Sequence, residues 1–267
     1  MFATKAQILS PALNWSFLIA AVILVSGCAD ANTSIPLSAS DPAATIKSDS
    51  GSALRMARTT RSAGDLNSAV MIYRNILATG AATDEIRIEL ADTLVESGSP
   101  DDAIDIYTQV GAKSSARLGA LLGLTRAYIN LGDPAKALDK IDEAKLLGPE
   151  DSRVLVDRGV VLDSLNRHSE AQDCYRSVLN VSPRHLSARN DLALSLALTG
   201  HFDEAVAMIT PLVRSASATP QVRENMAVIY GLMGDADHAA MVSRVDLDEG
   251  TTQKNLAFLA AVREPKP

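Results

Sequence analysis

Aromatic side chains are scarce, with one Trp, five Tyr and four Phe in 267 residues. So sparse and scattered a set excludes the stacking platforms that single-stranded nucleic-acid binders need. Positive charge is in deficit as well: 25 Lys and Arg against 32 Asp and Glu, a formal net charge of −7 and a pI near 5.1. No basic footprint for a polyphosphate is present, so no nucleic-acid partner is expected. Anionic lipid headgroups would repel such a body, and any hold on a membrane has to be covalent. Cysteine is almost missing, with Cys28 and Cys174 alone, and His168, His185, His201 and His238 lack the i, i+4 or cysteine pairing of a metal site. No metal is expected, and Cys174 reads as a small, partly buried side chain. There is no G-x-S-x-G, H-E-x-x-H, phosphate loop or dinucleotide fingerprint. Acids such as Asp101, Asp102 and Asp151 stand where helices begin, where they satisfy free amides. The expectation is a protein that is not an enzyme and has no cofactor or small-molecule substrate. What is present is a globular composition, 47% apolar and 21% charged, enough for one or two domains.

Residues 1–27 carry one charge, Lys5, and an apolar stretch from Trp15 to Val25. Eleven residues are too few to span a bilayer, which takes roughly 20, and suit the core of a signal peptide. The stretch ends in Val25-Ser26-Gly27-Cys28, which resembles the bacterial lipobox. That resemblance implies cleavage before Cys28, diacylation of its thiol and N-acylation, three chains in all and an effectively permanent anchor. In lipoproteins of this kind an Asp directly after the Cys favours the inner membrane; here Ala29 follows and Asp30 comes one later, which points to the outer membrane, facing the periplasm. Residues 28–49 are mostly Ala, Ser, Thr, Asp and Pro without apolar periodicity and read as a tether.

From Ser50 the chain repeats every 34 residues. Blocks 50–83, 84–117, 118–151, 152–185, 186–219 and 220–253 align without insertion. Position 20 is Ala in all six (Ala69, Ala103, Ala137, Ala171, Ala205, Ala239), and position 15 is Gly64, Gly98, Gly132, Asn166, Gly200 and Gly234. Position 8 is small in every block, and positions 7 and 24 are mostly large, with Tyr73, Tyr107 and Tyr175 among the latter. Gly or Asn at position 15 suits the left-handed residue that closes a helix. The next residue is often an N-cap, and Pro100 and Pro134 stand at the first helical position. Each block therefore reads as a helical hairpin whose small residues let two helices approach and whose large ones fill the joins between hairpins. No hairpin could bury its apolar face alone, so the hairpins must stack.

This pattern resembles the tetratricopeptide repeat, with Tyr128, Gly132, Ala137, Ala144 and Pro149 making one nearly full motif. The resemblance implies an all-α fold, a right-handed α-solenoid of about six hairpins. Residues 254–267 read as a capping helix and tail, the helix from Asn255 to Val262 with Leu256, Leu259 and Ala260 at helical spacing. The usual aromatic near position 4 is replaced by Ala53, Arg87, Leu121, Leu155, Arg189 and Arg223, and Ser243 and Asp246 leave the register of the sixth second helix open.

In this repeat family the first helix of each hairpin lines a concave groove. Carried onto this chain, the groove begins basic (Arg58, Arg61), turns acidic (Glu85, Asp92, Glu96) and then mixed (Arg126, Ile129, Asn130). It ends apolar, with Asn190, Leu194, Ala197, Leu198, Val228 and Leu232. Such a trough suits an amphipathic helix or an extended peptide, although each of these leucines could equally belong to the core. The candidate partner groove is Arg126, Asn130, Asn190, Leu194, Leu198, Val228 and Leu232, and Cys28 is the lipidation site.

The C-terminal block, Arg223, then Asn225 to Asp235, Arg244-Val245-Asp246-Leu247 and Asn255 to Leu259, resembles the ending of the TadD family. These are tetratricopeptide lipoproteins of the Tad (tight-adherence, Flp pilus) secretion apparatus. The resemblance implies a pilotin-like scaffold that helps the Tad outer-membrane secretin reach its membrane or multimerise there. A general envelope scaffold that recruits cell-wall enzymes or other assembly factors is the other reading open to the sequence.

Overall fold

The computed structural model describes residues 50–80, 82–216 and 218–263. The expected signal peptide, Cys28 and the expected tether lie outside them. Thirteen helices and no strand occur among the described residues. They fall into two compact units that divide between Leu147 and Gly148. The N-terminal unit holds α1 (Ser50–Ser62), α2 (Leu66–Ala78), α3 (Asp84–Glu96), α4 (Pro100–Thr108), α5 (Arg117–Asn130) and α6 (Pro134–Leu147). The C-terminal unit holds α7 (Ser152–Ser164), α8 (His168–Val181), α9 (Leu186–Leu198), α10 (Phe202–Val213), α11 (Pro220–Met233), α12 (Ala236–Ser243) and α13 (Glu249–Arg263).

Every hairpin turns on the residue expected to do so. Gly64, Gly98, Gly132, Gly200 and Gly234 have φ between 74° and 97°, and Asn166 has φ 60°. At each one the following amide reaches back to a carbonyl near the end of the helix, as in Ser99 N to Leu94 O (2.8 Å) and Arg167 N to Leu162 O (2.8 Å). That is the Schellman closure, and it satisfies carbonyls the helix end would otherwise leave bare. The following acid often caps the second helix, as when Asp65 and Asp235 accept from the amides of Ser68 and His238 at 3.1 Å.

Within each unit the two helices of a hairpin pack together, and the first helices of successive hairpins also touch: α3 with α5, α7 with α9, α9 with α11. All six alanines at position 20 are fully buried, 0% exposed, which is what lets paired helices approach. Tyr73, Tyr107 and Tyr175 are among the largest buried side chains. Position 7 departs from the expected pattern, since Met56 is exposed and Arg158 half-buried.

The end of the array corrects the sequence reading. The last helix begins at Glu249, ahead of Asn255, so the boundary drawn at 253/254 falls inside α13. The cause is ionic. Arg223 grips Asp246 through two bonds of 2.6 Å, Arg244 reaches Glu249 at 2.6 and 2.9 Å, and Asp248 caps the new helix through Thr251 N at 3.0 Å. Ser243 is therefore the last residue of α12, and Asp246 lies in the turn that follows this eight-residue helix. α13 packs on α11 and α12, with Leu259 against Gly231 at a place where a methyl group would lie 2.5 Å from Leu259 Cδ1.

Candidate functional site

In the N-terminal unit several charged residues of the first helices pair across neighbouring first helices. Arg58 of α1 holds Glu89 of α3 with bonds of 2.5 and 2.8 Å, and Arg61 holds Glu96 with bonds of 2.6 and 2.9 Å. Arg126 of α5 stands 3.6 Å from Asp92. Two tyrosines of the second helices reach into this row, Tyr73 donating to Glu89 (2.9 Å) and Tyr107 to Asp92 (2.5 Å). The Arg58 bond holds the Glu89 carboxyl below its ordinary range. Burial, with the Glu89 bond adding to it, pushes Tyr73 up to about 12, and burial beside Asp92 raises Tyr107 further. The basic stretch and the Asp92 and Glu96 part of the acidic stretch expected along the groove thus form one neutralised ladder, with Glu85 outside it. Ile129 is buried core and does not line a surface.

The C-terminal unit repeats the tyrosine device in a drier setting. Asp163 of α7 is buried and accepts from Tyr175 (3.0 Å) and Ser195 (2.8 Å), with His168 Nδ1 at 2.8 Å. Asn190 of α9 is buried and donates Nδ2 to Asp191 Oδ1 at 3.0 Å, while its own Oδ1 has no hydrogen-bond partner. Asp191 is half-buried. Its carboxyl is pushed up to about 7 by burial, helped by the like charges of Asp157 and Asp163 and opposed by the Asn190 bond.

The candidate groove residues divide between the units. Arg126 and Asn130 lie in the N-terminal unit, Arg126 exposed and Asn130 half-buried; Asn190, Leu194, Leu198, Val228 and Leu232 lie in the C-terminal one. Leu194 and Leu232 pack on the apolar core of their unit, and Ala197 belongs to it. Leu198 and Val228 are half-buried. Cys174 is a buried free thiol with Arg158 Nη1 3.7 Å from its sulfur. The described residues hold no group of three or more His, Cys, Asp or Glu side chains placed to take a metal ion.

Residues 94–155 and residues 156–217 each match a family described as tetratricopeptide repeat. The chain carries tetratricopeptide repeats. Solved structures agree on the fold. A tetratricopeptide repeat protein from Parabacteroides merdae gives a TM-score of 0.55 at 17% identity over 81% of this chain and 94% of that one. A thermophilic repeat protein of Thermus thermophilus gives 0.60 at 20% identity over 68% of this chain and 98% of that one. Among curated relatives, the uncharacterized protein y4yS of Sinorhizobium fredii is 33% identical over 85 residues, 32% of this chain and 47% of that protein. Lipopolysaccharide assembly protein B of Escherichia coli K12 is 21% identical over 235 residues, 83% of this chain and 60% of that protein. The chain thus spans about half the length of the first relative and less than two thirds of the second. Repeats of this type make a protein–protein interaction scaffold.

Sequence reasoning missed one feature of these repeats. Position 6 of the block is Glu89, Asp157 and Asp191 in three of them, an acid recurring at one register position and visible in the sequence once position 6 is read across blocks. Asp191 carries a consequence for stability. Its folded pKa stands near 7 against about 3.9 in an unfolded chain, so the folded state binds the proton more tightly. The stabilisation this brings is complete below about pH 4 and is lost as pH rises toward 7. Asp191→Asn should therefore equal wild type near pH 4 and exceed it by about 1–3 kcal/mol at pH 8. Urea midpoints of both proteins across that range test this, and a difference independent of pH would refute it.

Proposed function

We propose that the chain is a lipid-anchored periplasmic scaffold of the outer membrane, a pilotin-like component of Tad pilus assembly that grips a segment of the secretin with the first helices of its repeats. The observation that carries the reading is the chain's ending. The Arg244 to Leu247 stretch followed by the Asn255 helix resembles the TadD family, and Arg223–Asp246 and Arg244–Glu249 give that stretch a defined structural task. The Val25 to Cys28 motif supports the anchor, and the repeats support protein partners. In this reading the lipid on Cys28 supplies location and the repeats supply selectivity.

Cys28→Ser should abolish labelled palmitate incorporation, leave a precursor heavier by the 27-residue signal and release the mature body from lipid anchorage. Label taken up by the mutant, or never by wild type, would overturn the anchor. Deleting the gene should remove secretin multimers and surface pili; normal pili in that strain would remove the Tad assignment. A general envelope-assembly scaffold is the second reading, favoured by the similarity to lipopolysaccharide assembly protein B. It predicts an envelope defect with pili intact.

A further inference from the structure

On the first helices of the C-terminal unit, one buried acceptor of Asn190 meets no donor among the described residues. Asn190 is 7% exposed, its Nδ2 is committed to Asp191, and its Oδ1 meets no donor. A buried acceptor left bare costs roughly 1–3 kcal/mol, which a donor from outside would recover. Beside it, among the described residues, the Asp191 carboxylate receives that amide and pairs with no lysine or arginine. The nearby Arg189 spends its guanidinium on the carbonyl of Met208 at 3.4 Å. Asp163 is already supplied by Tyr175, Ser195 and His168, and its charge, like that of Asp157, bears on Asp191.

The same register position in the N-terminal unit shows what such an acid accepts. Glu89 occupies position 6 of its block, as Asp191 does of the fifth, and Glu89 is taken by the two-pronged guanidinium of Arg58. No equivalent arginine serves Asp191 among the described residues. A metal ion does not suit the place, because its carboxylates do not converge as a metal needs. A side chain with several diverging N–H donors does suit it. Leu194 lies three residues after Asp191 and four after Asn190, on the same helical face, where it can cover the methylene stem of a long cation.

We propose that Asp191 and the Oδ1 of Asn190, with Asp157 adding field, form a socket for a lysine or arginine side chain of the bound partner. The proposal rests on the scaffold reading and names the chemistry the scaffold recognises. It is tested on the full 15N-labelled chain in detergent at pH 8 with three probes, the methyl esters of Nα-acetyl-lysine, Nα-acetyl-arginine and neutral acetyl-norleucine. The two cations should shift the Asn190 side-chain amide and the Asp191 backbone amide along a saturable curve, and norleucine should not. Asp191→Asn and Asn190→Leu should each weaken the response about tenfold, the size of a lost charge-assisted bond, with the remaining amide spectrum unchanged. A response to norleucine equal to that of the cations, no saturable shift with either cation, or variants that bind as wild type would each overturn the socket. The outcome is separable from the Tad reading. Secretin multimers lost on gene deletion without a cation response would leave the scaffold and remove the socket; a cation response with multimers intact would keep the socket and change the partner.

Discussion

Gly123→Ala should lower the thermal midpoint, although the same change in an open helix interior raises stability by about 1 kcal/mol. A Cβ at Gly123 would run into the ring of Tyr107. That ring cannot retreat freely. Tyr107 is 1% exposed, and its hydroxyl donates to Asp92 at 2.5 Å, so moving it breaks a bond to a charged group and disturbs the core together. Overpacking costs about 1–3 kcal/mol and a hydrogen bond to a charged group about 1.5–3. After the helix gain is subtracted, a net loss of about 2–4 kcal/mol remains, or roughly 5–15 °C for a domain of this size. Gly159→Ala should behave alike, because its Cβ would meet the Tyr175 ring, which is tied to Asp163. Gly119→Ala is the control: its new methyl would find only Ile88 Cδ1, at 3.2 Å, the free end of a flexible side chain. That variant should be neutral or slightly stabilised. Circular-dichroism melts of the three decide it, and a higher midpoint for Gly123→Ala would show that the tyrosine seat is not structural.

The second large effect belongs to the proposed function. Leu194 and Leu198 look equivalent in the sequence, four apart on one face, but Leu194 packs on the core cluster and a charge there would damage the fold itself. Leu198 and Val228 are half-buried on α9 and α11, helices that touch. Leu198→Arg combined with Val228→Arg should therefore leave helicity largely intact while placing two charges where a partner's apolar side chains would lie. If this face grips the secretin, multimers and surface pili should fall nearly to the level of the gene deletion. Intact helicity with normal multimers would exclude the face as the working surface. Arg58→Ala combined with Arg61→Ala should act on the fold rather than on association. Both arginines are bound to glutamates of α3, so their loss should cost stability, about 0.2–1 kcal/mol for each exposed pair, more than it costs association rate.

The 34-residue period, the six turn residues and the buried alanines were all legible in the order of residues alone. Each depends on local chemistry: a left-handed residue closes a helix wherever it stands, and a side chain too small to separate two helices is marked by type and spacing. The tyrosines at position 24 were read correctly as core, yet nothing in their spacing told where their hydroxyls would go. Tyr73 bonds an acid of the next block, whereas Tyr107 and Tyr175 bond acids of their own. The same holds for the charges. Arg58 and Arg61 read as a basic surface until α1 was set beside α3, which put Glu89 and Glu96 within hydrogen-bonding reach. Residues 16 to 35 apart in sequence meet only through the angle and distance at which helices pack, and a composition read along one strand of positions carries no measure of either. The sequence by itself determined which segments become helices, where they turn and which small residues lie between them. Only the tertiary structure decided which acids are already paired, that the Oδ1 of Asn190 remains short of a donor, and which leucines are core, because burial and partner choice are properties of helices already packed together.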